Sequence, residues 1–236
     1  MILDFNFWTQ DSYSKAVDIP GFILTALIAY VLGSIPTGFL FAKARGIDIR
    51  AVGSGNIGAT NVVRSLGKQA GALVLLLDVA KGFLAVVVVA WLISAVFGIS
   101  GDRLTQEWLK ITAGLAAILG HNYTCFLHFK GGKGIATSAG VLTALVLIPL
   151  LIILAVWIVI FALTRYVSLA SIAASLTLPV ATWLTGQSLA LILVTSGMTV
   201  LAVYKHRANI QRLLKGTESR LSLKKLSTPQ APNQSL

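Results

Sequence analysis

Seven apolar runs recur along this 236-residue chain, at about 21–42, 70–98, 108–127, 134–148, 149–164, 168–184 and 188–204. A helix needs about 20 mostly apolar residues to cross the hydrocarbon core of a bilayer, and it satisfies its own backbone there. The runs therefore predict an all-α integral membrane protein of about seven transmembrane helices. The fourth and fifth runs are separated only by a turn placed near Pro149. Residues are 56% hydrophobic and 11% charged, against about 25% charged in ordinary soluble domains, so a soluble enzyme is excluded. Cys125 is alone, which excludes a disulfide scaffold.

Positive charge orients the spans. Segments after spans one, three, five and seven hold fifteen Lys and Arg, from Lys43 to Lys225, whereas the opposite side holds Lys15, Arg103 and Lys110. The expected N-terminus is outside and the C-terminus cytoplasmic. Residues 1–20 carry Asp4, Asp11 and Asp18 and lack the basic start of a signal peptide, so they read as an acidic external extension. Residues 21–216 form the membrane-embedded domain, and 217–236 read as a flexible basic cytoplasmic tail resting on anionic headgroups. The net charge of +11 thus points to a cytoplasmic membrane face and not to nucleic acid.

Four polar clusters fall on that face. The first, Gly53-Ser54-Gly55-Asn56-Ile57-Gly58-Ala59-Thr60-Asn61 with Arg64, can bring backbone N–H groups close to an anion. Ser54, Asn56, Gly58 and Asn61 are its candidate contacts, and the Arg64 guanidinium can fork onto a phosphate. An ordinary Gly-rich turn between helices is the alternative. The second, His128-Phe129-Lys130-Gly131-Gly132-Lys133-Gly134, opens an apolar helix whose N-terminal N–H groups and dipole favour phosphate. Its lysines also fit simple cytoplasmic placement, and it lacks the Walker A pattern. In the third, Arg165-Tyr166-Val167-Ser168, Ser168 reads as a helix N-cap. In the fourth, Tyr204 to Arg212, His206 and Asn209 are three apart and share a helix face.

Asp78 and Lys81, also three apart, lie inside the second run, where charge is costly and calls for a partner. Carboxylates on the cytoplasmic side are few, namely Asp48, Asp78 and Glu218. No metal-ligand spacing appears and no cofactor is expected. Two anion cradles without acidic metal ligands suit acyl transfer, which needs anion clamps, oxyanion donors and a place for one proton.

The run Gly33-Ser34-Ile35-Pro36-Thr37-Gly38, then Ser54 to Arg64, closely resembles the first motif region of the bacterial acyl-phosphate:glycerol-3-phosphate acyltransferases, the PlsY family. Gly120-His121 with Phe129 to Ser138 is similar to its second motif. Tyr166 to Ser171 and His206 to Leu213, with Gly216 and Glu218, resemble its remaining polar segments. The resemblance implies a multi-pass enzyme of the bacterial inner membrane, open to the cytosol. Its reaction moves a fatty acyl group from acyl phosphate to the sn-1 hydroxyl of glycerol 3-phosphate, giving lysophosphatidic acid and phosphate. It also implies the bilayer as surroundings and functional coupling to an acyl-phosphate-producing enzyme. Ser54, Arg64 and Lys133, with Lys130 as a second cation, would clamp phosphate with N–H groups around Asn56–Gly58 and Gly131–Gly134. Ser168, His206 and Asn209 would orient the glycerol. The proton would go to His206 or to a phosphate oxygen of the acyl phosphate. The competing class is a transporter of phosphate or a phosphorylated metabolite.

Overall fold

The computed structural model describes residues 6–99 and 103–221, with side chains from Ile19 onward. The acidic side chains of the first eighteen residues, and tail residues 222–236, lie outside the described residues. The chain runs through α1 (Asn6–Ser34), α2 (Thr37–Lys43), α3 (Ala59–Leu66), α4 (Lys68–Leu84), α5 (Ala90–Phe97), α6 (Arg103–Asn122), α7 (Ile135–Leu145), α8 (Leu147–Thr164), α9 (Val167–Leu184), α10 (Leu189–Lys205) and α11 (Arg207–Leu214). No strand occurs among the described residues.

Every one of the seven apolar runs carries helix, but not as seven equal rods. Ile19–Lys43, Lys68–Phe97, Leu147–Thr164 and Val167–Leu184 are long and apolar enough to cross a bilayer. The α10–α11 pair adds a fifth candidate that bends by 57°. α6 has the length but carries Arg103, Glu107 and Lys110 near its start. α7, with 11 residues, is only about 16 Å long at 1.5 Å per residue.

Several helices are interrupted. The first breaks at Ile35–Pro36, because proline offers no N–H and its ring clashes with the preceding turn. A π-helical segment, Ala85–Val89, joins α4 to α5. The turn expected at Pro149 lies three residues earlier, at Val146. Pro149 sits in the first turn of α8, where a missing N–H breaks no helical bond.

The surface is apolar: Leu76, Trp91, Ile158 and Leu163 are among many large side chains left exposed. The interior joins helices through small residues, as membrane helices do when lipid competes for apolar contact. A Cβ on Gly33 would stand 2.6 Å from the Ala117 Cα, and one on Gly140 would stand 1.9 Å from the Val79 carbonyl oxygen. These contacts lock α1 to α6 and α4 to α7. Beneath the first polar loop, Ala42, Ile49, Ile57, Val62, Val74 and Leu127 form a compact apolar cluster. The four polar clusters thereby converge at one end of the bundle.

Candidate active site

A cavity of about 420 Å³ opens there and continues inward between α7, α8, α9 and α10. Its polar end is lined by Ser54, Asn56, Gly58, Asn61, Arg64, Lys133, Gly134, Ser168, His206 and Asn209. Its inner walls are apolar, among them Leu142, Leu150, Ile153, Leu178 and Met198. A second cavity of about 390 Å³ adjoins it, and Ser54, Asn56, Lys133 and Asn209 line both. Lys130, Gly131 and Gly132 line only the second, with Arg50, Lys205, Arg207 and Arg212. Residues from all four sequence clusters thus meet, although most of the chain separates Ser54 from Asn209.

The first loop is held from within. Asn61 is buried; its Oδ1 accepts from the Ser54 N–H at 2.9 Å, and its Nδ2 donates to the Ile49 and Val52 carbonyls at 3.0 Å. All of its polar atoms are engaged, so Asn61 shapes the loop and has no donor left for an anion. Asn56 Oδ1 likewise accepts from the Gly58 N–H at 2.8 Å, which removes that N–H from the expected cradle. The Gly131 and Gly132 N–H groups are also spent, donating to the Asn122 and His121 carbonyls at the end of α6. These two glycines are needed for close approach: a Cβ on either would lie 2.1 Å from a His121 atom. The anion cradle therefore contracts to the first turn of α7, whose leading N–H groups have no helical acceptor, and to side chains.

Around the polar mouth, one carboxylate not expected among the site residues ties the clusters together. Glu218 Oε1 accepts from Ser168 Oγ and from Asn209 Nδ2, each at 2.7 Å, and Oε2 accepts from Arg212 Nε at 2.7 Å. Its side chain is 6% exposed. Burial pushes the Glu218 carboxyl up, but the hydrogen bonds from Ser168, Asn209 and Arg212 outweigh it and hold the group below its ordinary range. Ser168 is thus not an N-cap; it sits inside the first turn of α9, with Tyr166 at the cap. The cap expectation failed because Ser168's hydroxyl has a tertiary acceptor supplied 50 residues later. Glu218 also carries the packed chain past Gly216: Arg64 Nη2 donates to the Ser219 carbonyl at 2.9 Å and the Leu221 N–H to the Arg165 carbonyl at 2.9 Å. Glu218 of the expected tail therefore lines the cavity, and Ser219 and Leu221 are bonded to the bundle beside it.

Lys133 Nζ donates to Asn209 Oδ1. Burial, with Arg212, Arg64 and Lys205 nearby, lowers the Lys133 ammonium to about 8 although Glu218 works the other way. His206 is at the corner where α10 ends and α11 begins, so it and Asn209 do not share one helix. Both nevertheless line the cavity, with α10 and α11 meeting at a 57° bend. His206 Nδ1 lies 2.8 Å from the Ala202 carbonyl. A carbonyl only accepts, so Nδ1 bears the proton and Nε2 of the neutral ring holds a lone pair. Burial and the Lys133 charge lower the ring to about 4.

Asp78 and His121 line the same cavity. Asp78 Oδ1 is 2.9 Å from Lys81 Nζ and 3.6 Å from His121 Nδ1, and it accepts from Thr37 Oγ1 at 2.6 Å. Among the described residues, no group of three or more His, Cys, Asp or Glu is arranged to hold a metal ion.

A family profile described as glycerol-3-phosphate acyltransferase matches residues 23–216. A glycerol-3-phosphate acyltransferase of Desulforudis audaxviator (strain MP104C) is 49% identical over 204 residues, covering 86% of this chain and 97% of that protein. One of Geobacter sulfurreducens is 48% identical over 198 residues, covering 84% and 96%. The crystal structure of PlsY (YgiH), an integral membrane glycerol 3-phosphate acyltransferase, in its glycerol 3-phosphate form, is 42% identical with a TM-score of 0.75, over 85% of this chain and 96% of that one. Its lysophosphatidic acid form gives 41% and 0.73.

Proposed function

The chain belongs to the glycerol-3-phosphate acyltransferase family, and from that premise we propose that it moves a fatty acyl group from acyl phosphate to the sn-1 hydroxyl of glycerol 3-phosphate. The products are lysophosphatidic acid and inorganic phosphate. The observation that carries this reading is one cavity with two characters: a cationic mouth built from Arg64 and Lys133, and an apolar bore reaching Leu178 and Met198. An anionic, fatty-acylated reactant fits both at once.

Ser54, Arg64 and Lys133 clamp phosphate, with α7's leading N–H groups completing the clamp. Lys130 and the second basic cavity receive phosphate from the cytosol. Glu218 holds Ser168 and Asn209 so that, with His206, they turn the glycerol toward the acyl carbonyl. Such orientation lowers a barrier by roughly 7–11 kcal/mol in favourable cases. The sn-1 oxygen forms the new C–O bond as the bond between carbonyl carbon and phosphate oxygen breaks. The hydroxyl proton ends on the departing phosphate. Burial and the Lys133 charge keep the His206 ring a weak base, whereas the phosphate oxygen gains negative charge as its bond to the carbonyl carbon breaks and so takes the proton. His206 Nε2 therefore orients the hydroxyl by accepting its hydrogen bond. Acyl phosphate is already activated, so no acyl-enzyme is needed.

The enzyme works in the bacterial inner membrane, with seven spans, an external N-terminus and this mouth toward the cytosol. An enzyme that makes acyl phosphate supplies the donor. The test is purified protein given palmitoyl phosphate and labelled glycerol 3-phosphate, without carrier protein, CoA or metal, which should release lysophosphatidic acid and phosphate in equal amounts. Folded protein that yields no lipid, but moves the label across a bilayer, would establish transport instead.

A further inference from the structure

Lys81 and Asp78 are 4% and 2% exposed within the second apolar stretch. Two charges taken out of water carry a desolvation penalty that their mutual attraction offsets only when further hydrogen bonds complete the geometry. The pair therefore needs a structural task to which an apolar pair would be unequal. That task is visible at the break between α1 and α2. The helix ends at Pro36, whose ring bars its continuation, so the carbonyls at the break lie outside the regular helical pattern and need donors from elsewhere in apolar surroundings. The Ser34 carbonyl accepts from Thr124 Oγ1 at 2.6 Å, and the Ile35 carbonyl accepts from the Thr37 N–H at 3.0 Å and, as a second donor, from Lys81 Nζ at 2.9 Å. On the other side of the proline, Thr37 Oγ1 donates to Asp78 Oδ1 at 2.6 Å. One ion pair on α4 thus grips the chain both before and after the break.

Beyond the break, α2 leads straight to the phosphate loop. Thr37 is the first residue of α2, and Gly38 is so tightly seated that a Cβ would stand 1.9 Å from the Ile57 carbonyl oxygen. Ile57 lies in the loop that carries Ser54 and Asn56 into both cavities. The contact is backbone against backbone, and a shift of α2 therefore passes directly to the loop.

We propose that the Asp78–Lys81 pair is a positioning device for glycerol 3-phosphate binding, acting through Thr37 and Gly38 on the Ser54–Asn56 loop. The inference rests on the reading that this loop binds substrate phosphate. None of Thr37, Asp78 and Lys81 is assigned a bond to substrate; their effect is on where the loop stands.

Asp78→Asn would leave Lys81 unpaired in apolar surroundings and disturb folding itself, so the decisive variants are at Thr37. Thr37→Val keeps the shape and deletes the donor, and Thr37→Ser restores it. The expected result for Thr37→Val is about a tenfold rise in KM for glycerol 3-phosphate, the size of one hydrogen bond to a charged group, with kcat within about threefold of wild type. Its calorimetric Kd for glycerol 3-phosphate rises in parallel, and Thr37→Ser returns both constants to near wild type. A lowered melting temperature with unchanged Kd and KM would overturn the proposal and leave the pair a purely structural clasp. Wild-type protein that binds glycerol 3-phosphate yet makes no lipid would overturn the acyl-transfer reading alone, because the Kd comparison still decides the positioning. Wild-type protein that does not bind glycerol 3-phosphate would overturn both.

Discussion

Arg64 and Lys133, the two cations of the proposed phosphate clamp, would hold an anion by different means, and that difference gives each its own test. Arg64 spends one guanidinium nitrogen on the Ser219 carbonyl and keeps a planar fork for an anion. Arg64→Lys preserves the charge and loses the fork; we expect kcat/KM to fall at least about tenfold, the scale of one charged hydrogen bond, and near-normal turnover would remove Arg64 from the clamp. Lys133 is chargeable only up to about pH 8. Its depressed value means that the cation is present below that point and is lost as pH rises through it. The pH profile of kcat/KM reports the free enzyme, so it should fall above about pH 8, and Lys133→Arg should flatten that limb. A profile unchanged between wild type and Lys133→Arg would assign the limb to another group. Ser54, Arg64, Lys133, His206 and Asn209 were legible as a set of cationic, hydroxyl and amide side chains in short polar segments. The roles of Asn61, Gly131 and Gly132 were not, because residue type does not reveal that a donor is already spent on a neighbouring carbonyl. Glu218 was named with the family's polar segments, but its place at the centre of the site was not legible, because it follows Gly216 in a basic, polar stretch whose composition resembles a loose tail. Its status as a lone carboxylate among cations was the available signal.

Helices meet here through backbone contacts that a side chain would block. Gly140 sits where a Cβ would lie 1.9 Å from the Val79 carbonyl oxygen and 2.9 Å from the Phe83 nitrogen. Gly140→Val should therefore part α4 from α7 and destabilise the fold by about 3 kcal/mol or more, read as a fall in melting temperature in detergent. Gly197, also helical, has nothing within 4 Å of the place a Cβ would take; Gly197→Ala should be neutral or slightly stabilising, since alanine favours helix by about 1 kcal/mol. Equal effects at the two positions would show that packing is not what distinguishes them. Apolar length announced the helices, and Pro36 lay in plain view. The bend at His206 did not, because nothing in Tyr204-Lys205-His206-Arg207 breaks a helix. Beyond the bend, Asn209 is engaged by Glu218 and Lys133, partners that lie outside α11.

At the scale of the whole molecule, the proposed topology places the exposed Cys125 in a cytoplasmic loop. A membrane-impermeant maleimide should label it in inside-out vesicles and spare it in sealed right-side-out ones; the opposite pattern would invert every span. The sequence by itself determined the membrane character, the helical class and the polar segments, because burial in lipid demands continuous apolar runs and leaves charge only where water or a partner receives it. It also carried the family, through several motifs in fixed order. Tertiary structure decided which polar atoms remain free, that Lys81 and Asp78 of the second apolar stretch bond to the chain on both sides of Pro36, and that Glu218 joins three segments around one cavity. Those outcomes depend on distances between residues far apart in the chain, and hydrogen-bond partners are chosen by packing, which a linear pattern of residue types does not encode.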